Sequence, residues 1–107
     1  MWYVIGRVRL KPGRRESFLR DFRAYRETSR KDEGCIYFEM AAGSDDPDTV
    51  VIIECFTTRD AHQAHLNTAH YAAGGPRFQA DLLEADFEDI GASDVKRTHF
   101  GDSVASP

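Results

Sequence analysis

The chain has 107 residues, of which 41% are hydrophobic and 30% charged, as expected for one soluble globular domain. Its net charge of −4 argues against nucleic-acid and acidic-membrane binders, because phosphate binding requires clustered basic residues. No apolar run approaches the ~20 residues of a membrane span, and the N-terminus lacks the pattern of a signal peptide. Two cysteines and no C-x-x-C indicate a cytoplasmic protein with reduced thiols.

The first predicted elements are a strand and a helix. Residues 2–10 are rich in β-formers with alternating arginines, which is typical of a strand that ends at Lys11-Pro12-Gly13. Residues 14–31 predict a helix that ends where Gly34 can take the left-handed conformation. Its apolar stripe consists of Phe18, Leu19, Phe22 and Tyr25.

A hairpin is predicted next, from strands over residues 35–42 and 50–56 joined by a loop of turn-forming residues. A symmetric loop would place Tyr37 opposite Glu54 and Phe38 opposite Ile53, although a slip of one residue would exchange the two faces. In that register the apolar face carries Ile36, Phe38, Met40, Val51, Ile53 and Cys55. The mixed face carries Tyr37, Glu39, Ile52, Glu54 and Phe56.

Thr57-Thr58 is a helix-start signal, and it predicts a short helix from Arg59 to about Asn67. Gly74-Gly75-Pro76 should interrupt the helical pattern, and Pro76 should restart a helix that runs to about Phe87. A weak final strand is predicted over residues 92–100. Residues 101–107 are small and polar, which is typical of a disordered tail.

The resulting order, βαββαβ, is the split-βαβ, ferredoxin-like pattern of an α+β domain, here spanning residues 1–100. It predicts a four-stranded antiparallel sheet with helices on one face. The other face would be too apolar to meet water. We therefore expect a homodimer in which two sheets pack face to face.

The residues able to carry chemistry cluster around the end of the third strand. His62 and His65, at i and i+3, could share a metal, but no third ligand is evident and we predict no metal site. His70 lies near a helix end, where a capping role explains it equally well. Glu54 and His65 could equally satisfy each other as structural groups.

The segments 33–39, 53–65 and 70–71 resemble the antibiotic biosynthesis monooxygenase (ABM) family. That family's pattern has a glycine-led strand, a strand ending in E-x-W, a short Ser/Thr turn, and a helix with A-x-x-x-H followed by H-[FY]. Glu54 stands at the glutamate, His65 at the first histidine, and His70-Tyr71 at the second. Phe56 stands where the family has tryptophan, and the first strand lacks the asparagine of oxygenating and haem-degrading members.

The resemblance implies a dimeric α+β barrel that oxidises a quinol or polycyclic phenol with O₂, without metal, flavin or other cofactor. A deprotonated electron-rich phenol can itself reduce O₂, so the protein must supply a base and a dry pocket. We predict His65 as the base, because an imidazole titrates near neutral pH. The predicted substrate contacts are Phe56 as a pocket wall and Tyr37, Asn67, His70 and Tyr71 as polar partners. Glu54 is predicted to support the site.

Two alternatives remain open from the sequence. The first is a non-catalytic dimeric barrel that binds a small aromatic ligand, which the loss of the tryptophan favours. The second is a relative that binds or degrades haem.

Overall fold

The computed structural model describes residues 1–102, so most of the predicted tail, residues 103–107, lies outside the described part. The elements are β1 (Trp2–Leu10), α1 (Arg15–Asp21), α2 (Arg23–Ser29), β2 (Cys35–Ala42), β3 (Thr49–Phe56), α3 (Arg59–Leu66), α4 (Ala69–Asp81) and β4 (Leu82–Gly91). Among residues 1–102, every helix is too short or too polar to cross a membrane.

The four strands form one antiparallel sheet in the order β2-β3-β1-β4. The helices cover one face of this sheet, and the core lies between the two layers. Its buried members include Phe18 from α1, Phe22 from the junction of α1 and α2, and Val8, Phe38 and Val50 from the strands. The predicted ferredoxin-like α+β fold is therefore confirmed.

The first helical region differs from its prediction in one respect. The expected single helix over residues 14–31 is divided at Phe22, whose φ of −91° and ψ of 6° lie outside the helical range. The apolar stripe is confirmed, with the Phe18 and Phe22 rings 4.7 Å apart. Gly34 adopts φ +79°, and a Cβ there would lie 2.6 Å from the Cβ of Ala61, so the turn before β2 requires glycine.

The predicted register of the hairpin is wrong by one residue. Tyr37 pairs with Cys55, Phe38 with Glu54 and Glu39 with Ile53. The loop is not centred as assumed, since Gly43 pairs with Thr49 through an N–H···O bond of 2.9 Å. The face that meets the helices therefore carries Phe38, Met40, Val50, Ile52, Glu54 and Phe56.

Two predictions for the end of the chain are also wrong. The second helical region does not continue to Phe87, and the final strand does not lie over residues 92–100. The last strand is β4, Leu82–Gly91, which pairs with β1 along its whole length. Leucines, alanine and glutamates give this segment a helical propensity. Pairing prevails because β1 would otherwise leave a row of backbone N–H and C=O groups without partners.

The expected interruption at Gly74-Gly75-Pro76 is not observed, because α4 runs through all three residues. A proline inside a helix removes one backbone hydrogen bond. Packing compensates for this loss, since Phe78 in the next turn meets the Phe18 ring at 6.1 Å. The glycines have a different role, described below.

Candidate functional site

A cavity of about 540 Å³ lies between the sheet and helices α2, α3 and α4. Its size is in the range of small-molecule sites. Gly74 and Gly75 form part of its wall, and a Cβ on Gly74 would already lie 3.4 Å from the Tyr25 ring. Most of the lining is apolar, and the polar side chains in it are Tyr25, Glu54, His62, Tyr71, Gln79 and Asp89.

Glu54 is the most unusual of these groups. It lies on β3 in one cross-strand row with Phe38 on β2, Val4 on β1 and Asp89 on β4. The residue is only 7% exposed, and its Oε1 atom has no hydrogen-bond partner among residues 1–102. Burial, reinforced by the negative charge of Asp89, raises the pKa of Glu54 to about 8. The carboxyl group is therefore neutral at pH 7.

His62 faces the same part of the cavity from α3. It is 5% exposed, and its Nδ1 atom likewise lacks a hydrogen-bond partner in the described part of the chain. Burial lowers the pKa of His62, against the opposite effect of Asp89. A neutral imidazole and a neutral carboxyl group therefore line the same cavity, each with an unpaired polar atom.

A chain of hydrogen bonds runs from the cavity wall into the protein. The Tyr25 hydroxyl donates to Nε2 of His65 (3.2 Å), and Nδ1–H of His65 donates to Oδ2 of Asp32 (2.7 Å). A carboxylate can only accept, so Asp32 fixes the tautomer in which Nε2 of His65 is free to accept a proton. Burial raises the pKa of Tyr25, so the phenol stays protonated.

His70 completes this cluster from α4, since its Nε2–H donates to the same Asp32 oxygen at 2.8 Å. The ligand-type atoms of Asp32, His65 and His70 lie within 4.8 Å of one another and could in principle hold a metal ion. In the structure both imidazoles use those atoms for hydrogen bonds to Asp32. The geometry is that of a half-buried carboxylate held by two imidazoles.

Local sequence signals position these histidines. The Thr58 side chain accepts the N–H of Ala61 at the start of α3, as the sequence predicted. Thr68 caps α4 through the N–H of Tyr71, and its hydroxyl donates to the His65 carbonyl. The Thr58 cap fixes the start of α3, and Thr68 fixes the turn between α3 and α4, from which His65 and His70 converge on Asp32.

The predicted site residues do not all meet at the cavity. Tyr71 lines it directly. His65 is 1% exposed and lies behind the wall, joined to the cavity through Tyr25. Phe56 is fully buried and packs on His62 and His65, with ring centroids 5.1 and 5.6 Å apart.

The other two predicted contacts lie elsewhere. Asn67 ends α3, and its side-chain amide donates to the Gln63 carbonyl. Tyr37 pairs with Cys55 and stands on the sheet face away from the helices, 38% exposed.

Sequence reasoning missed Asp32, Tyr25 and Asp89. Asp32 is 33 positions from His65 in the chain and lies among charged residues that indicate a solvated surface. Tyr25 was assigned to the apolar stripe, but a tyrosine on a buried stripe needs a partner for its hydroxyl, and that signal was available. Asp89 could not be found without the pairing of β4 with β1.

Comparisons with known proteins agree with this architecture. The family model described as "Antibiotic biosynthesis monooxygenase" matches residues 1–76. The Escherichia coli K12 protein named "Probable quinol monooxygenase YgiN" is 34% identical over 94 residues, covering 78% of this chain and 90% of that protein.

Solved structures are also similar. A structure titled "Putative antibiotic biosynthesis monooxygenase" from Nitrosomonas europaea superimposes with a TM-score of 0.80 at 27% identity, covering 86% of this chain and 98% of its own. A Bacteroides thetaiotaomicron structure, described as a "Conserved Protein of Unknown Function" and "Possible Oxidoreductase", gives a TM-score of 0.76 at 26% identity, covering 83% of this chain and 94% of its own.

Proposed function

The chain belongs to the antibiotic biosynthesis monooxygenase family, and on that premise we propose that it oxidises an electron-rich hydroxy-aromatic with O₂. The substrate class is a quinol or polycyclic phenol, and it binds in the cavity between sheet and helices. The overall reaction places one oxygen atom on a substrate carbon and reduces the other to water. The substrate supplies all four electrons, so the proposal needs no cofactor.

One observation carries this proposal: the Tyr25 hydroxyl lines the cavity and is hydrogen-bonded to a buried His65 held by Asp32. A substrate phenol that donates to Tyr25 can lose its proton while the Tyr25 proton passes to Nε2 of His65. The raised pKa of Tyr25 disfavours a free phenolate, so the two transfers occur together. In this proposal His65 is the base and acts through Tyr25, and Asp32 stabilises the resulting imidazolium.

The rest of the cavity suits the later steps. Phe22, Met40, Ile52 and Phe78 provide an apolar wall against which an aromatic ring can lie, with Tyr71 at its edge. In this dry site the phenolate transfers an electron to O₂, and the superoxide formed combines with the substrate radical at a ring carbon. A water-poor cavity favours that recombination over escape of superoxide.

Oxygen uptake with a panel of quinols and anthrone-like phenols tests the proposal, in the presence of a chelator and beside heat-inactivated protein. We expect uptake above autoxidation, and a fall of about 10²-fold in Tyr25→Phe and in His65→Gln, the range of general-base contributions. Tyr3→Phe, on the opposite sheet face, is the matched control and should retain the wild-type rate.

Uptake equal to the heat-inactivated control across the panel would contradict the monooxygenase. A rise in melting temperature with the same aromatics would then support the ligand-binding alternative. Wild-type rates in Tyr25→Phe would instead contradict the relay while leaving the activity in place.

We further propose that the outer face of the sheet forms a homodimer interface. Tyr37, Ile53 and Ile90 are each more than a third exposed there, on three different strands. The charged pair Arg9–Glu84 lies at one end of this face. An apolar centre with charged residues at its edge is the usual anatomy of an interface between subunits.

Sedimentation velocity tests the dimer. We expect the wild-type chain to sediment as a dimer and Ile53→Lys as a monomer, because a buried unpaired charge is costly. Thr28→Lys, at an exposed position of helix α2, adds the same charge and should stay dimeric. A wild-type chain that sediments as a monomer would contradict the proposed dimer.

A further inference from the structure

We propose that Glu54 is a second catalytic group of this site, which protonates the peroxide intermediate and then removes the proton from the oxygenated carbon. This inference rests on the proposed function and assigns a step that the Tyr25–His65–Asp32 relay leaves open. Once O₂ has joined the substrate, a peroxide anion must be protonated and a C–H bond must break before water can leave.

The placement of Glu54 supports this role. Its carboxyl group lines the cavity from β3, is almost fully buried, and has an Oε1 atom that no group among residues 1–102 satisfies. Such an atom is costly to bury without a partner. It is explained if a bound molecule supplies the partner, whereas a structural glutamate would be paired within the protein.

The surroundings keep the proton on Glu54. The groups that line the cavity with it or act on it electrostatically are Asp89 from β4, His62 from α3, Tyr25 from α2, Tyr71 and Gln79 from α4, and Cys35 from β2. None of these is a lysine or arginine, and the charge that acts on Glu54 is the negative one of Asp89. Burial and that charge raise the pKa of Glu54 to about 8, so the carboxyl can donate near neutral pH and accept soon afterwards.

The steps balance. The relay first removes one proton from the substrate RH₂, and the anion combines with O₂ to give the peroxide anion HR–O–O⁻. Glu54 donates its proton to the outer oxygen and becomes a carboxylate. That carboxylate then takes the C–H proton, the C–H electron pair forms C=O, and the O–O bond breaks to release hydroxide.

Hydroxide regains the first proton from His65 through Tyr25 and leaves as water. The sum is RH₂ + O₂ → RO + H₂O, and both His65 and Glu54 return to their starting forms. For a 1,4-naphthohydroquinone, RO is the hydroxyquinone. Without Glu54 the adduct decays by the competing route, in which quinol and O₂ give quinone and hydrogen peroxide.

The test uses Glu54→Gln, which keeps the volume and hydrogen-bonding capacity of the side chain but cannot exchange a proton. With 1,4-naphthohydroquinone as probe, hydroxyquinone formation should fall about 10²-fold. The molar ratio of hydrogen peroxide released to O₂ consumed should rise toward roughly one, because the competing route gives one hydrogen peroxide for each O₂. Glu27→Gln, at an exposed position of helix α2, is the matched control and should resemble wild type.

In wild-type protein the same peroxide ratio, corrected for autoxidation, should rise with pH around pH 8 as Glu54 loses its proton. This measurement keeps the inference testable if Glu54→Gln does not fold. The increase should be missing from Glu54→Gln, whose ratio is high at every pH.

The outcomes separate the two proposals. Active wild type with an unchanged peroxide ratio in Glu54→Gln overturns the role of Glu54 and leaves the monooxygenase standing. Parallel loss of hydroxyquinone and peroxide, with a raised KM, also overturns it, since Glu54 would then only position the substrate. Wild type without uptake above the heat-inactivated control overturns both.

Discussion

Replacing Glu54 by glutamine should raise the free energy of unfolding by several kcal/mol above pH 8 and should leave it nearly unchanged below pH 5. The reason is the difference in proton affinity between the folded and unfolded states. In the unfolded chain the carboxyl group has its ordinary pKa of 4.5, whereas burial and the charge of Asp89 raise the pKa to about 8 in the folded protein.

The sign follows from proton binding. Between pH 4.5 and 8 the folded state holds the Glu54 proton and the unfolded state does not, so raising the pH favours unfolding. The contribution of Glu54 to stability is therefore fully present below about pH 4.5 and is lost as the pH rises through about 8. A shift of this size corresponds to roughly 5 kcal/mol at about 1.4 kcal/mol per pKa unit, an upper limit because Glu54 keeps 7% of its surface exposed.

Urea unfolding at intervals from pH 5 to pH 9 measures the effect. The difference in unfolding free energy between wild type and Glu54→Gln should change steadily over this range and level off above pH 8. Glu27→Gln should follow the wild-type curve at every pH. A constant difference between wild type and Glu54→Gln would mean that Glu54 ionises normally, and would remove the acid step proposed for it.

The parts of the fold that the sequence predicted correctly are those set by local interactions. The β-formers of β1, the stripe of Phe18 and Phe22, the cap at Thr58 and the left-handed Gly34 each depend on residues within a few positions of one another. Local propensity and capping are sufficient to place such elements. The βαββαβ order follows from them, which is why the fold class was predictable.

The errors arose where distant residues decide the structure. Leu82–Gly91 has helix-forming residues, and only the unpaired edge of β1 makes it a strand. The hairpin register depended on one pair, Gly43 with Thr49. The slip of one residue places Phe38 and Met40, instead of Tyr37 and Glu39, on the sheet face that carries Glu54. That slip matters for function, because it makes the surroundings of Glu54 more apolar and moves Tyr37 to the opposite face.

Only some of the site residues could be predicted, for the same reason. His65, His70 and Tyr71 could be found because they share one short stretch with a recognisable spacing. Tyr25 lies on α2, Asp32 in the turn that follows it and Asp89 on β4. The only local signal for Tyr25 is that a buried hydroxyl needs a partner, and nothing in the neighbourhoods of Asp32 and Asp89 marks them. The chemistry depends on both sets, since His65 reaches the cavity only through Tyr25 and has its tautomer fixed only by Asp32.

Replacing His65 by alanine should destabilise the protein by about 3–5 kcal/mol, far more than the same change at His70. Both imidazoles donate to the same Asp32 oxygen, at 2.7 and 2.8 Å. His65, however, is 1% exposed, whereas the His70 side chain is 21% exposed. Loss of His65 opens a cavity beneath Phe38 and Phe56 and leaves the Tyr25 hydroxyl without its acceptor.

His70→Ala is the matched control, because it removes an equivalent hydrogen bond at a site that water can reach. We expect it to cost only about 1 kcal/mol, the usual value of one such bond. Urea unfolding of both variants at pH 7 gives the comparison. Combining each variant with Asp32→Asn in a double-mutant cycle gives the coupling free energy between Asp32 and each histidine. The coupling between Asp32 and His65 should be the larger. If both histidine variants lost the same unfolding free energy, Asp32 would not stabilise the buried His65 imidazole more than the more exposed His70. The argument that Asp32 orients His65 as a base would then be contradicted.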